Sequence, residues 1–301
     1  SSPLSYIINE SFNQGIFPRI FKVAKVTPIF KSDSTQDCSN YRPISLLSNI
    51  SKVIEKCMYN RLYQYVEKNK IIYNLQFGFR KQHSTLHALL NLTDCIRDSL
   101  DNGNLVGGLF LDLQKAFDTV NQTIFLEKLY IYGIRGKCLD WFKSYLLGRK
   151  QFVTIDDKDS ETLDISHGVP QGSILGPLMF LLYVNDFHLC LRSAETFHFA
   201  DDTTILVHAR SVKEIKKAMR SLLNTILDWL AANRLTLNAK KTEIVLFRSK
   251  SKLCDTRFTI KIKGHKIYPS NKVKYLGVFL APHLEWKHQV TELAKKNSPL
   301  L

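Results

Sequence analysis

The chain has 301 residues, of which 45% are hydrophobic and 23% are charged, a balance typical of a globular protein and not of a disordered or fibrous one. Lysine and arginine (42) outnumber aspartate and glutamate (27), and the net charge of +15 favours a polyanionic partner, nucleic acid before a membrane surface. The longest apolar stretch, 174–184, contains Gly176 and Pro177 and is too short to span a bilayer.

Hydrophobic spacing predicts the elements of the first half of the chain. Residues 106–111 (VGGLFL) are continuously apolar, which is typical of a buried strand. The other predicted elements are a helix over 3–13, a strand over 24–31, a helix over 50–66, a helix over 84–100 with Ser84 as its N-cap, helices from Asn121 and across 139–147, and a hairpin around the acidic loop 156–161.

In the second half, two apolar segments, FHFA and TTILVHA, meet at Asp201 and Asp202 and predict a β-hairpin. The other predicted elements are a buried helix over 173–191 with Pro177 in its first turn, a helix over 212–230, and strands around 242–248, 257–263 and 273–280. Strands interleaved with helices indicate an α+β domain. Six well-separated cysteines form no CxxC pair, so they indicate neither a zinc site of that kind nor a disulfide framework, and they favour a reducing compartment.

The carboxylates stand out by their surroundings. Asp112 ends the apolar strand and Asp201-Asp202 sit between apolar segments, whereas the Asp156-Asp157 pair has polar neighbours. Carboxylates at the ends of buried strands are costly unless a cation compensates, and Mg²⁺ prefers such oxygen ligands. Two metal ions can polarise an attacking hydroxyl and stabilise a leaving pyrophosphate. The alternative is a pair of turn aspartates beside an unrelated strand end.

The segment from Lys240 to Lys274 is strongly basic, with eleven lysines and arginines against two acidic residues. The basic side chains alternate with Ile260, Ile262, Ile267 and Val273, which predicts a cationic strip on one face of a sheet whose other face packs. Such a strip suits a phosphate backbone, and binding through it weakens with salt. An ordinary solvated face is the alternative interpretation.

Seven motifs stand in an informative order. FLDLQKAFDTV (110–120), GVPQGSILGPLMF (168–180) and FADD (199–202) resemble the reverse transcriptases of non-LTR (LINE-type, jockey-like) retrotransposons. Four further segments match what this family places around them: NYRPISLLSNISKVIEK (40–56), QFGFRKQHST (76–85), LTLNAKKTEIVLF (235–247) and KYLGVFL (274–280). The resemblance covers roughly residues 20–282.

The resemblance implies an RNA-directed DNA polymerase with a right-hand polymerase fold and a ferredoxin-like palm. It predicts fingers over about 1–104 and 119–165, a palm over about 105–118 and 166–282, and a truncated start of a thumb over 283–301. The expected partners are an RNA template, a DNA primer and dNTPs, with two Mg²⁺ ions that Mn²⁺ can replace and no membrane. The chain resembles a fragment of a longer polypeptide that acts inside the cell, in the nucleus or a cytoplasmic ribonucleoprotein.

By resemblance, Asp112, Asp201 and Asp202 are the catalytic, metal-binding aspartates. Lys241 matches a lysine that protonates the leaving pyrophosphate; Lys240 beside it leaves the register open, and the pattern N-x-x-K-T favours Lys241. Tyr275, Leu276 and Gly277 match the hairpin that holds the primer terminus.

Other positions match the binding site for the incoming nucleotide. Arg80 matches the arginine that neutralises the triphosphate. Phe117 matches a steric gate against ribonucleotides, with a core role as the alternative, and Asp118 is expected to cap the helix near Asn121. The remaining candidates for nucleotide or phosphate contact are Leu113, Gly168, Pro170, Gln171, Gly172, Lys31 and Arg42.

Two other interpretations of the whole chain stay open on the sequence alone. One is an inactive remnant of a retrotransposon or an RNA-binding module derived from it. The other is a group II intron-type maturase reverse transcriptase.

Overall fold

The computed structural model describes residues 3–31 and 34–297. The chain divides into two compact units. The first unit runs up to Ile72 and includes Lys115–Asn185, and the second unit comprises Tyr73–Gln114 and the chain from Asp186 onwards. The predicted fingers and palm have other bounds and stay a prediction, as does the start of a thumb over 283–301, of which 298–301 lie outside the described residues.

Most of the predicted helices are present at nearly the expected bounds. In the described ranges the α-helices are α1 (Pro3–Gln14), α2 (Asn49–Lys68), α3 (Thr85–Asp101), α4 (Gln122–Ile131), α5 (Gly136–Leu146), α6 (Gly176–Val184), α7 (Val212–Ala232) and α8 (Lys287–Asn297). Ser84 caps α3 as predicted, because its side chain accepts a hydrogen bond from the N–H of His87. None of the described helices combines the length and apolar character that crossing a bilayer requires.

The strands are shorter than the helices and several form hairpins. In the described ranges they are β1 (Val23–Phe30), β2 (Tyr41–Leu46), β3 (Leu105–Leu111), β4 (Arg149–Ile155), β5 (Lys158–Asp159), β6 (Leu163–Ile165), β7 (Glu195–Phe199), β8 (Asp202–Ala209), β9 (Glu243–Phe247), β10 (Ile260–Ile262), β11 (His265–Ile267), β12 (Val273–Tyr275) and β13 (Val278–Leu280).

The first unit is built around one mixed sheet with the strand order β2-β1-β4-β5, and β6 also pairs with β4. Strand β1 is antiparallel to β2 and parallel to β4. An aromatic cluster fills the space between α1 and α5, with the Trp141 and Tyr145 rings stacked at 5.4 Å and Phe17 edge-on to both. This packing fixes the ends of α1 and α5 against each other.

The second unit contains an antiparallel sheet with the order β7-β8-β3-β9. Strand β3 is central and buried along its whole length, as its continuous apolar sequence predicts. Gly107 on β3 leaves room for α7, because a Cβ there would lie 2.7 Å from Ile215 and 2.5 Å from Met219. The opposite face packs on α3 and on β12, whose Val273 is buried.

The predicted fold needs four corrections. The predicted helix 173–191 is α6 followed by a 3-10 helix over Asn185–Cys190, because the backbone before Gly176 is looped, with Gly172 at φ +113°. The strand predicted over 273–280 is a hairpin of two strands. Strand β2 is not among the predicted elements, and it contains Pro43, which is tolerated because β2 is an edge strand of its sheet.

The fourth correction concerns the cationic strip. Ile260, Ile262 and Val273 are buried and the adjacent Lys261 and Lys274 are exposed, as the alternation predicts, whereas Ile267 is only half-buried. The strands belong to two separate ribbons, β10-β11 and β12-β13, and not to one sheet. The turns at 263–264 and 276–277 reverse the chain after three residues, which prevents a longer strand.

Candidate active site

The three predicted catalytic aspartates lie at one end of the second unit's sheet. Leu111 on β3 pairs with Thr203 on β8, so Asp112, the next residue, lies opposite Asp202. Phe199 pairs with Asp202, which leaves Ala200 and Asp201 as the two-residue turn between β7 and β8. The hairpin predicted from FHFA and TTILVHA is therefore present, with Asp201 in its turn.

The pKa of Asp202 reflects its burial and its closeness to the other two aspartates. Burial raises the pKa of Asp202 to about 6, and the negative charges of Asp201 and Asp112 add to the shift. The two neighbouring negative charges that contribute to this shift favour a cation beside Asp202. Carboxylate oxygens from three positions are the donor set that hard divalent cations prefer.

A side chain from another segment holds the turn that contains Asp201. Gln76 is buried, and its Oε1 accepts hydrogen bonds from the N–H groups of Ala200 (3.1 Å) and Gly78 (2.8 Å). Ala200 has φ +58°, a left-handed conformation that is unfavourable for a residue other than glycine. Gly78 permits the close approach, because a Cβ there would lie 2.2 Å from the nitrogen of Ala200.

Asp112 is held by the segment that follows α7. Asn238 donates from Nδ2 to Oδ2 of Asp112 at 2.9 Å and from its backbone N–H to the Asp112 carbonyl at 2.8 Å. Leu113, a predicted nucleotide contact, forms an isolated antiparallel bridge with Leu237. Sequence reasoning did not single out Asn238 or Gln76, although each lies inside a motif quoted above, because neither side chain could be assigned a partner without the fold.

A cavity of about 110 Å³ opens beside the aspartates. Its lining residues come from β3, β8, β9, β12 and the adjoining loops: Phe110, Leu111, Asp112, Asp202, Thr203, Thr204, Lys241, Glu243, Val273, Lys274, Tyr275 and Leu276. Lys241 belongs to this lining and Lys240 does not, which favours Lys241 over its neighbour in the register left open by the sequence.

The predicted primer-grip residues form the turn of the β12-β13 hairpin. Tyr275 pairs with Val278, and the two residues between them, Leu276 (φ +48°) and Gly277 (φ +86°), are both left-handed, as in the tight turns that suit hairpin twist. The Tyr275 ring lies edge-on to Phe110 at 5.8 Å. Tyr275 and Leu276 line the same cavity as Asp112, whereas Gly277 forms part of the turn and is not in the lining.

Arg80 also belongs to the second unit. Its Nη1 donates to the backbone carbonyls of Tyr73 and Gln76, both at 3.3 Å. The guanidinium is therefore anchored on the loop whose Gln76 side chain holds the turn around Asp201.

The remaining candidates belong to the first unit. Phe117 stacks on Phe180 at 4.5 Å and is half-buried, so its ring has a packing role. Gln171 donates from Nε2 to Oδ1 of Asp118 at 2.7 Å, and burial raises the pKa of that carboxyl. The predicted helix cap at Asp118 is wrong, because the side chain of Asn121 caps α4.

Backbone contacts fix the Gly168–Gly172 loop within the first unit. Ser45 on β2 donates its N–H to the carbonyl of Gln171 at 2.7 Å, and Ser173 donates to that of Pro170. A Cβ at Gly168 would lie 2.8 Å from the Asp118 carbonyl, and one at Gly172 would lie 2.6 Å from that of Ser45. The two further candidates, Lys31 and Arg42, are exposed.

Comparisons with known proteins agree with the expected fold. The sequence profile of the family described as "Reverse transcriptase (RNA-dependent DNA polymerase)" matches residues 29–280. Two solved structures of telomerase from Candida tropicalis, one of them truncated from the C-terminal domain, match 93% of this chain with TM-scores of 0.60 and 0.59. Their sequences are 12% and 14% identical to that of this chain, and the match covers 52% and 59% of the telomerase chains. At this identity the likeness shows the fold alone. The expected α+β polymerase fold is confirmed.

Curated relatives from insect mobile elements match almost the whole chain. The RNA-directed DNA polymerase from mobile element jockey of Drosophila melanogaster is 29% identical over 96% of this chain. The probable RNA-directed DNA polymerase from transposon BS of the same species is 30% identical over 94% of it. The chain spans about a third of these relatives, 32% of each.

Proposed function

Because the chain belongs to the reverse transcriptase (RNA-dependent DNA polymerase) family, we propose that it adds deoxynucleotides to the 3′-hydroxyl of a primer under the direction of an RNA template. The resemblance to non-LTR, jockey-like retrotransposons is confirmed by the match to the relatives from jockey and BS elements. The synthesis itself, and its role in copying such an element, is the proposal.

The observation that carries the proposal is the meeting of Asp112 and Asp202 across β3 and β8, with Asp201 in the adjoining turn. Reverse transcriptases use divalent metal ions, and the three carboxylates fit such ions because they bring oxygen ligands and negative charge together: burial raises the pKa of Asp202, and the charges of Asp201 and Asp112 add to the shift. We propose two Mg²⁺ ions, replaceable by Mn²⁺, as the physiological choice. When bound, these ions polarise the primer hydroxyl and stabilise the leaving pyrophosphate.

The chain's own residues supply orientation and a proton. Asn238 fixes the rotamer of Asp112, and Gln76 fixes the turn that carries Asp201, so the carboxylates are positioned before any substrate binds. Lys241, at the edge of the same cavity, is the proposed donor of a proton to the departing pyrophosphate. No covalent intermediate with the protein is needed, because phosphoryl transfer depends on positioning and charge stabilisation.

Residues matched to the family's nucleotide contacts complete the proposal. Arg80 is proposed to neutralise the triphosphate, since a planar guanidinium meets phosphate oxygens in pairs. Phe117 is proposed to exclude ribonucleotides, and Gln171 with Gly172 to contact the incoming nucleotide. Tyr275 and the turn after it are proposed to hold the primer terminus.

The exposed lysines of the two ribbons are proposed to contact the phosphate backbone of template and primer. Lys261 and Lys274 alternate with buried isoleucine and valine, so their ammonium groups face solvent. Binding of template–primer is therefore expected to weaken steeply as salt increases. By analogy with the mobile-element relatives, we propose action inside the cell, in the nucleus or a cytoplasmic ribonucleoprotein.

The test is incorporation of dTTP by the purified chain on a homopolymer RNA template with a DNA primer, in Mg²⁺ or Mn²⁺. Wild-type protein is compared with Asp201→Ala and with Asp157→Ala, which alters an exposed aspartate in the Asp156-Asp157 loop. We expect Asp201→Ala to lower the rate about 1,000-fold or more and Asp157→Ala to leave it unchanged.

Two outcomes would contradict the proposal. Equal incorporation by wild-type protein and Asp201→Ala would mean that this site does not catalyse the reaction. Salt-sensitive binding of template–primer without incorporation in either metal would favour the non-catalytic, RNA-binding alternative.

A further inference from the structure

A cysteine, a glutamate and a histidine meet at the open end of the hairpin whose turn carries Asp201. Cys95 lies on α3, Glu195 begins β7 and His208 lies near the end of β8. One donor atom from each side chain, a sulfur, a carboxylate oxygen and a ring nitrogen, lies within 4.8 Å of the other two. Oε2 of Glu195 accepts a hydrogen bond from Sγ of Cys95 at 2.6 Å, and its Oε1 is 3.9 Å from Nε2 of His208.

We propose that Cys95, Glu195 and His208 bind a borderline-soft divalent cation, with Zn²⁺ as the first choice. Thiolate, imidazole and carboxylate are the three side-chain ligands that zinc takes, and a water molecule can complete four-coordination. The donor set differs from that of Asp112, Asp201 and Asp202, which offer oxygen alone and suit Mg²⁺. The proposed zinc site is thus chemically distinct from the polymerase site.

The histidine is presented as a metal ligand would be. Its Nδ1 lies 2.8 Å from the hydroxyl of Ser99, a contact that fixes the ring orientation. Its Nε2 is buried and makes no hydrogen bond within the described part of the chain, so it stays available on the side that faces Glu195. A buried polar atom without a partner is costly, and a metal bond to it would remove that cost.

The charges around the cluster also favour a cation. Glu195 has one ion-pair contact in the described ranges, with His208, which is neutral unless it is protonated. The carboxylate of Asp98 contributes further negative potential at the thiol of Cys95. On binding, the thiol releases its proton to solvent as the metal–sulfur bond forms, so the step balances without a redox partner.

The position of the cluster suggests its effect. Glu195 and His208 lie far from the turn of the hairpin. Glu195 is five residues from Ala200 and His208 is six residues from Asp202, which corresponds to about 15–20 Å along each strand. A metal here would tie α3 to both strands of the hairpin that presents Asp201. The expected role is stabilisation of this part of the second unit, and it does not depend on the proposed polymerase function.

The spacing of the cysteines in the sequence does not indicate this cluster. Cys95 and Glu195 are 100 residues apart, and no CxxC spacing announces the site. The fold alone brings the three ligands together, through the packing of α3 on β7 and the pairing of β7 with β8.

The test uses Co²⁺ as a spectroscopic probe on the full, metal-free chain kept reduced with a non-thiol reductant. Cobalt bound to a thiolate absorbs in the near ultraviolet, whereas cobalt on aspartates alone does not. We expect this absorption to saturate at about one equivalent and to disappear when Zn²⁺ displaces the cobalt. Zn²⁺ is also expected to raise the unfolding temperature of the chain.

Matched variants assign the signal to this site. Cys95→Ser is expected to abolish the absorption, and Cys190→Ser, which alters another partly buried thiol of the same unit, is expected to keep it. Glu195→Gln and His208→Gln are expected to weaken cobalt binding at least about 10-fold, with circular dichroism as the check on folding. Asp201→Asn is expected to keep the absorption.

The wild-type titration is decisive even if a variant fails to fold. A wild-type chain without thiolate–cobalt absorption would overturn the proposal and leave the three side chains as a hydrogen-bonded cluster. Absorption that persists in folded Cys95→Ser would equally overturn it. Neither readout uses polymerase activity, so an inactive polymerase would not affect the result.

Discussion

Gln76 and Ala200 are joined by a hydrogen bond of 3.1 Å from the Ala200 N–H to the side-chain oxygen of Gln76. Ala200 is the left-handed residue of the turn that presents Asp201, and its conformation costs on the order of 1 kcal/mol. The segment around Gln76 also pairs with β7, because Phe77 donates its N–H to the carbonyl of His198 at 2.8 Å. Side-chain and backbone contacts from one segment thus hold both the strand and the turn in place.

Replacement of Gln76 by leucine, which keeps the volume and removes the acceptor, should misplace Asp201. We expect kcat to fall roughly 10- to 100-fold with little change in template–primer affinity, since an error of about 1 Å in a reacting group has an effect of that size. Steady-state incorporation gives kcat, and a filter-binding assay gives the affinity. Gln64→Leu, an exposed change on α2, is the control, and an equal loss in both variants would contradict this role.

The pKa of Asp202 gives the stability a distinct pH dependence. Because the folded-state pKa, about 6, exceeds the unfolded value, the folded protein holds this proton more tightly. The stabilisation is complete below about pH 4 and is lost as the pH rises through about 6. Asp202→Asn removes both the partly buried charge and its repulsion by Asp201 and Asp112, so in a chelator the variant should be more stable than wild type at pH 7.5.

The size of this difference is on the order of 1 kcal/mol, since Asp202 keeps contact with solvent that screens its charge. Urea unfolding at several pH values measures it, and the gap between variant and wild type should close below about pH 4. Asp157→Asn in the exposed loop should track wild type at every pH. A parallel pH dependence for wild type and Asp202→Asn would mean that neither burial nor the charges of Asp201 and Asp112 raise the pKa of Asp202 in the folded chain.

Variants of the adjacent Lys240 and Lys241 form a matched pair that tests which lysine donates the proton. Lys241 lines the cavity beside the aspartates and Lys240 does not. We expect Lys241→Met to lower kcat on the order of 100-fold and Lys240→Met to leave it nearly unchanged, since general acid catalysis is worth factors of this size. A stronger effect at Lys240 would reverse the assignment.

Much of the site could be predicted from the sequence, because each of its elements is formed by a short continuous segment of the chain. The strand ending at Asp112 and the hairpin ending at Asp201 follow from apolar runs and turn residues, and their meeting requires only that the two strands pair. The side chains that hold the aspartates in place could not be predicted, because Gln76 and Asn238 act through contacts with residues more than 120 positions away in the sequence. Asp118 illustrates the same limit: its position suggested a helix cap, but its partner is the distant Gln171.

The ring of Phe117 has two roles to separate. It stacks on Phe180 at 4.5 Å, and it matches the family's barrier to ribonucleotides. Phe117→Val should lower the preference for dTTP over UTP in single-nucleotide primer extension, while Phe117→Tyr, which keeps the ring, should retain it. Loss of the stack should also destabilise the first unit by about 1–2 kcal/mol. Unchanged selectivity together with this destabilisation would leave Phe117 a packing residue only.

Glu55 is the fully buried carboxylate on which the start of α6 rests. Its Oε2 accepts hydrogen bonds from the N–H groups of Ile174 (2.8 Å) and Leu175 (3.4 Å). Burial raises the pKa of this carboxyl, while the two hydrogen bonds and the positive charge of Arg149 act against the rise. Nε and Nη2 of Arg149 make no hydrogen bond among the described residues. Glu55→Ala leaves that buried guanidinium uncompensated and should cost about 3–5 kcal/mol in urea unfolding. Glu127→Ala, an exposed change on α4 in the same unit, should cost less than about 0.5 kcal/mol. A loss at Glu55 no larger than at Glu127 would mean that the charge of Arg149 is balanced by another group.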